Sequence, residues 1–380
     1  MIRRLLPLAS LALALTTSAL ATTALGAQSI LDIGARVAPQ FHSYTIDAPT
    51  NVTISEFSVP LFVVVPITSS FGFDVGASYV RAQVEQTDGA KNTSTINGLT
   101  DTQVRANYVI GNDFVVLTAG VNIPTGKNEV PVEQQLAAAL IGNDFLAFPI
   151  SNMGTGFGVT GGIAMARPVG DWNFGAGVSV RRSSQYDPFS PTGGVVLHYQ
   201  PGNEYRARLG LDRAIGTGRV TLGVTYSSFG DDDFGGSIYN TGNRLLSQVA
   251  FDDGFGPGRL TLAGWDLYRQ SGTIADITTS GQSNISLGNE NIADGALSYG
   301  IPMGGVILEP NVEGRAWTQE GLSTSTLGTF GLRMQIDVGG LTFLPSGGFS
   351  VGQLAAQTNA NLNTTASMTG WHATLAVRLR

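Results

Sequence analysis

Four stretches of this 380-residue chain carry side chains of the kind that do chemistry. Gly156-Phe157-Gly158-Val159-Thr160-Gly161 has the G-x-G-x-x-G spacing that cradles phosphate. That chemistry needs the glycines between a strand and a helix N-terminus, where backbone N–H groups converge on the anion. No helical pattern follows Gly161, and glycine is dense everywhere, so no nucleotide site is expected. Gly348-Phe349-Ser350-Val351-Gly352 has the G-x-S-x-G spacing of a nucleophile elbow, which exposes serine at a strand-to-helix turn. This stretch instead alternates as a strand, and only His42, His198 and His372 could act as its base. Asp231-Asp232-Asp233 and Asp252-Asp253 could hold a hard cation through carboxylate oxygens, but they read better as a solvated loop and a turn. Three scattered histidines have no metal spacing, and a chain without cysteine has neither disulfides nor thiolate metal sites. Neither an enzyme nor a cofactor or metal site is expected.

The remaining charges are spread singly among apolar residues, and their spacing is informative. In Val104–Lys127, Val104, Ala106, Tyr108 and Ile110 alternate with Arg105 and Asn107. After Gly111-Asn112-Asp113, strong turn chemistry, Val115, Leu117, Ala119, Val121 and Ile123 alternate with Val116, Thr118, Gly120 and Asn122. A period of two is a β-strand signal. The same alternation recurs at 71–79, 172–181, 205–212, 220–227, 330–338 and 371–379, often with an aromatic ring at the strand end: Phe71, Tyr79, Trp172, Tyr226 and Trp371. In a soluble sandwich the apolar face would be core. In an outer-membrane barrel it meets lipid, ringed by aromatic girdles, and the polar face meets a lumen.

Three observations favour the barrel. Met1-Ile2-Arg3-Arg4, the apolar Leu5–Leu15 and the small residues up to Ala27 have the layout of a secretory signal peptide, with cleavage after Ala21 or Ala27. Charged residues make up 13% of the chain against about 25% in soluble domains, and the 50 glycines are nearly twice the usual share. No later apolar run reaches the ~18 residues of a membrane helix, and a net charge of −7 argues against a nucleic-acid partner.

Connections of two lengths alternate along the chain. Short ones fall near 68–70, 111–113, 169–171, 215–218, 254–258, 303 and 339–340. Long ones fall at 41–53, 87–99, 124–155, 184–202, 230–241, 271–289, 318–323 and 354–366. Outer-membrane barrels alternate short periplasmic turns with long extracellular loops. The expected fold is therefore all-β: a signal peptide over 1–27, then a transmembrane antiparallel up-and-down barrel over 28–380. It should have about sixteen strands, or fourteen if weak segments near 30–38 and 290–300 do not pair. Its lumen would be lined by Arg105, Arg181, Arg206, Arg208, Asp212, Glu309, Glu313, Arg315, Arg333 and Asp337, with Asp74 among them. Mixed signs of this kind give a polar wall without strong ion preference.

The longest connection, 124–155, is too long to be idle. Val132, Leu136, Ala139 and Leu140 fall on one helical face, and the apolar run Phe145-Leu146-Ala147-Phe148-Pro149-Ile150 follows. A short helical segment is expected there. It would either fold over or into the pore mouth, with Val132, Leu136, Leu140, Phe145, Leu146 and Phe148 capturing solute, or pack as an ordinary external loop.

Gly98-Leu99-Thr100-Asp101-Thr102, the hairpin that follows, Pro124-Thr125-Gly126-Lys127 and, loosely, Leu308-Glu309-Pro310 resemble outer-membrane transporters of the FadL type. The resemblance includes relatives associated with phenol and aromatic degradation. It is close over about thirty residues and architectural elsewhere. The chain lacks the Asn-Pro-Ala hatch segment of the fatty-acid transporters, and Leu379-Arg380 stands where many outer-membrane proteins have an aromatic end. The resemblance implies passive uptake of small hydrophobic molecules across the bacterial outer membrane, with lipid and solute as partners. A general porin for hydrophilic solutes and a closed structural barrel are the alternatives. Oligomeric state is not encoded legibly.

Overall fold

The computed structural model describes residues 34–47, 51–88, 90–111, 114–189, 196–275, 284–359 and 362–379. The signal-like leader 1–27 lies outside them. Sixteen antiparallel strands close into one barrel. The first, β1, is Gly34–Val37 and Gln40–Asp47, two pieces that pair with the same neighbours across the break at Ala38-Pro39. Then come β2 (Asn51–Pro66), β3 (Phe71–Asp88) and β4, which is Ala90–Leu99 and Thr102–Ile110 around Thr100-Asp101. The next strands are β5 (Val115–Ile123), β6 (Gly158–Val169), β7 (Trp172–Ser183) and β8 (Glu204–Ile215). They are followed by β9 (Gly218–Phe229), β10 (Arg244–Phe255), β11 (Gly258–Arg269) and β12 (Glu290–Met303). Last are β13 (Val306–Gln319), β14 (Ser325–Val338), β15 (Leu341–Asn359) and β16 (Leu362–Leu379). Closure is β1 on β16, with Ser43 opposite Trp371.

The predicted short connections near 68–70, 169–171, 215–218, 254–258, 303 and 339–340 are tight turns at one end of the barrel; that at 111–113 lies partly outside the described residues. Gly170 and Gly216 take φ of 61° and 59° there, the left-handed conformation that a two-residue hairpin loop requires. At the other end the connections differ in kind. Those at 124–157, 184–203, 230–243 and 270–289 are long loops. The expected long links 41–53, 87–99 and 354–366 are instead mostly strand over their described residues, because β1–β2, β3–β4 and β15–β16 keep pairing there, and the expected long link 318–323 is a short turn between Gln319 and Ser325.

The two faces of the wall follow the register. Leu117 pairs with Tyr108 and Ile163, and all three point outward and are exposed. Arg105, Asn107 and Thr118 point inward, where Arg105 and Asn107 bond to Asp74 and Thr118 donates to Asn107. Outward apolar residues on β3 run from Phe71 to Tyr79. That is roughly 27 Å of strand at ~3.4 Å per residue, or about 20 Å along the axis at a ~40° tilt, close to the ~25 Å apolar band of such barrels. Tyr79, Tyr226 and Trp371 are exposed at its long-loop edge, and Phe41 packs on Trp371 at 4.6 Å.

Beyond that edge the polarity of the wall inverts. On β3, Arg81, Gln83 and Glu85 continue the outward row, whereas Val80, Ala82 and Val84 point inward and are fully buried. Outside the lipid the outward face meets water, and an apolar inward face needs something to cover it.

Candidate permeation pathway

The cover is the 124–155 connection. Both its legs pass through a neck held by Asp101. That buried carboxylate accepts from Asn122 Nδ2 (2.7 Å), the Gly126 amide (3.0 Å) and the Thr155 amide (2.7 Å). Thr125 Oγ1 accepts from the Thr102 amide and donates to the Thr100 carbonyl. A Cβ on Gly126 would lie 2.0 Å from the Met153 carbonyl oxygen, so no other residue fits where the legs cross. The Thr100-Asp101 and Pro124–Lys127 motifs thus build the base of a plug.

The plug enters the barrel. A 3₁₀ turn, Val132–Gln134, leads into one short helix, α1 (Gln135–Ile141). Ser94 Oγ donates to the Glu133 carbonyl at 2.6 Å and accepts from the Ala137 amide, fixing α1 against β4. Ala137 and Ile141 are buried, packing with Ile54, Val80, Val84 and Ile96 of the wall. The chain then crosses the lumen. Phe145 stacks on Trp317 of β13 (6.0 Å), Phe148 meets Tyr44 of β1 edge-on (5.5 Å), and Leu146 lies in the same cluster with Leu327 and Met368. Polar contacts fasten the crossing at three points. Arg269, itself paired with Glu290, binds Asp144 (2.5 Å), Arg315 donates to the Phe145 carbonyl (2.9 Å), and the Ile150 amide donates to the buried Glu56 (3.1 Å).

The proposed capture residues therefore stand in different places. Phe145, Leu146 and Phe148 are sealed between plug and wall, at 1%, 1% and 5% exposure. Leu136 and Leu140 are half-buried against the same cluster, whereas Val132 is 58% exposed. The helical face expected over 132–140 is offset because its first turn is 3₁₀, with three residues per turn rather than 3.6; Ala137 and Ile141 take the wall-facing positions. The inward apolar residues of β1–β4 are barely marked in the sequence. Their only signal was the continued period of two through 80–96, muted by serine, threonine and asparagine on alternate positions.

By register the named lining residues lie on the inward faces of their strands, Arg315 and Arg181 against the plug itself. Arg105 makes an ion pair with Asp74 (2.8 Å) and Arg333 with Glu309 (2.5 Å). Arg315 sits between Asp294 (2.8 Å) and Glu313 (2.7 Å), over the Trp265 ring. Asp212 accepts from Arg219 (2.7 Å) and Asn173 (3.2 Å), and Asp337 from Thr342 (2.8 Å). Arg206 pairs with its strand neighbour Glu204 (2.5 Å), and Arg181 donates to Thr155 Oγ1 (3.2 Å). Arg208 is exposed and has no carboxylate partner among the described residues.

The remaining motifs have structural places. Gly156 packs on the Tyr186 ring, and Gly158–Gly161 opens β6. Ser350 lies within β15, 2.9 Å from Thr329 Oγ1. Asp252 pairs with Arg259, and Asp253 accepts from Thr217. Asp232 lies in the long loops, where Tyr186, Tyr199, Phe234, Tyr239 and Ile274 form a separate apolar cluster. It accepts the Gly202 amide (2.6 Å), and burial pushes its carboxyl up to about 6. Among the described residues no three metal-binding side chains come together.

The sequence profile of a family described as "Putative MetA-pathway of phenol degradation" matches residues 49–258, more than half of the chain. No curated protein matches the chain in sequence. Among solved structures, a FadL homologue from Pseudomonas aeruginosa is 12% identical with a TM-score of 0.45, covering 92% of this chain and 90% of that one. An outer membrane channel from Pseudomonas putida F1 is 11% identical, with a TM-score of 0.38 and coverage of 93% and 98%. CdiB from Acinetobacter baumannii is 9% identical with a TM-score of 0.43; 92% of this chain is covered, but it spans only 60% of that protein. These likenesses are in barrel architecture alone.

Proposed function

The chain belongs to this phenol-degradation family and is a channel-type β-barrel of the bacterial outer membrane, and from that premise we propose that it passes small hydrophobic or aromatic molecules by passive diffusion. The tight-turn end is assigned to the periplasm and the long-loop end to the exterior, as in other such barrels. The observation that carries the reading is an apolar inward wall of Tyr44, Ile54, Val80 and Ile96 that the apolar side of the insert covers, and that becomes a vestibule once the insert is displaced. A water-filled porin has no use for such a lining. A solute ring burying ~120 Å² there gains about 3 kcal/mol. That concentrates it roughly a hundredfold over water, yet leaves binding weak enough for release into the polar lumen below. Entry requires α1 and the 143–150 crossing to shift, which exchanges plug–wall contacts for solute–wall contacts.

The paired charges lower down favour a second reading, a general porin whose plug merely narrows the bore. Deletion of residues 131–150 separates the two. On the first reading the deletion lowers uptake of hydrophobic compounds selectively, because half of the apolar sandwich is gone, while ion conductance holds or rises. On the second, aromatic and sugar permeation change in the same proportion.

A further inference from the structure

Along most of the lumen each inward arginine has a carboxylate beside it, as with Arg105, Arg315 and Arg333. The wall of β7 and β8 differs. From the plug neck downward it presents Arg181, Arg206 and Arg208 on one inward face; among the described residues Glu204 is the one carboxylate bonded to any of them, and Asp212 further down β8 is taken by Arg219 of β9. Two positive charges are thus left over on this wall, in a chain whose net charge is −7.

The neighbours leave these guanidinium groups room. In register, Arg181 is flanked by Thr160 of β6 and Glu204 of β8, Arg206 by Ser179 and Ser227, and Arg208 by Gly177 and Thr225. Glu204, already bonded to Arg206, is the one acidic neighbour; the others are small or hydroxyl-bearing and leave Arg206 and Arg208 uncrowded. The plug is fastened to other walls, through β2, β4, β11 and β13; among the described residues its bond to the strands of this wall is Arg181 to Thr155, with Val130 pairing higher up with the β7–β8 loop at Pro188.

We propose that Arg181, Arg206 and Arg208 form an anion-conducting lane, and that the preferred solute is a small organic carboxylate with an apolar body. This deepens the reading under Proposed function and rests on it: the vestibule supplies the apolar contact, and the lane supplies the charge. Guanidinium groups bind carboxylates through paired N–H donors. Arg206 and Arg208 stand two residues apart on one strand, ~7 Å between Cα atoms, and Arg206 is already engaged by Glu204, so they offer successive rungs rather than one clamp. The anion is handed from one rung to the next rather than trapped, which multi-site conduction requires.

The test is electrical. The full chain in planar bilayers is held in a potassium benzoate gradient, and the reversal potential gives the permeability ratio of benzoate to potassium. The lane predicts a ratio above one that falls several-fold in Arg208→Gln and further in Arg181→Gln/Arg208→Gln. Arg208→Lys, which keeps the charge, retains most of it. Heat-modifiable migration on gels verifies that each variant has closed its barrel. Conductance that is cation-selective, or anion-selective but unchanged by the glutamine variants, overturns the lane and leaves the channel standing. No conductance above the bare bilayer in any salt overturns the channel reading, and the lane with it.

Discussion

Truncating Phe145 should unseat the plug without opening the barrel. Its ring is 1% exposed, stacks on Trp317 and lies in the apolar cluster joining the insert to the wall. Phe145→Ala gives up the transfer free energy of a buried ring, about 3 kcal/mol by area and somewhat more if the cavity fails to collapse. The loss falls on the equilibrium between seated and displaced plug, since the displaced state exposes residue 145 to water either way. A shift of about 3 kcal/mol multiplies the displaced population roughly a hundredfold. Arg315 still donates to the backbone carbonyl of residue 145, so the backbone bond survives and the effect isolates packing. The native chain has no cysteine, which makes single-cysteine reporters clean. Ala137→Cys places a thiol at a position buried under α1, and Val132→Cys one at an exposed position of the same insert. Labelled with a maleimide, Val132→Cys should react at the rate of a free thiol and Ala137→Cys far more slowly. Adding Phe145→Ala should raise the Ala137→Cys rate by about two orders of magnitude and leave Val132→Cys unchanged. If Ala137→Cys reacts as fast as Val132→Cys in the otherwise native chain, the plug is not seated and the reasoning fails.

Other expectations follow from the wall and the loops. Leu117→Arg puts a charge on the lipid face and should cost about 2–4 kcal/mol in a refolding titration, whereas Thr118→Arg, facing the lumen, should cost much less; equal costs would reverse the assigned faces. Asp232 titrates near 6 in the packed loops and near 4 when unfolded. The folded form holds more protons across that window, so loop packing strengthens as pH falls through 6 and levels off below about 4. The gain is at most about 3 kcal/mol, and Asp232→Asn should abolish it. Hydrogen exchange of the 199–202 and 232–239 amides, corrected for intrinsic rate, measures this; slower exchange at pH 7.5 than at pH 5 would contradict it.

The sequence spoke clearly where one physical rule governs. Within the lipid band a strand must alternate apolar and polar, so 104–123, 172–181 and 205–227 disclosed both strands and faces, and turns such as Val169–Trp172 set the strand count. Beyond the band that rule lapses. Residues 80–96 keep the period of two but exchange its sense: Val80, Val84 and Ile96 turn inward because water, not lipid, lies outside. With hydroxyl residues between them, the stretch looks like loop. The plug was half legible. Its length and its Phe145–Ile150 run marked it as more than a loop, but which residues would be sealed depended on partners distant in sequence, such as Trp317 and Tyr44. Asp101 was visible only as part of a motif; its role needs the two legs of the plug, 25 and 54 residues away, to meet at one carboxylate.

The central claim is that this barrel gives small apolar molecules a passive route through the outer membrane. The most direct measurement is initial uptake of a radiolabelled aromatic hydrocarbon and of a disaccharide by cells whose outer membrane carries the protein or lacks it, with metabolism blocked. The account predicts faster aromatic entry with the protein present, little change for the disaccharide, and no dependence on an energy source. Equal gains for both solutes, or aromatic entry that stops when energy is withdrawn, would contradict it.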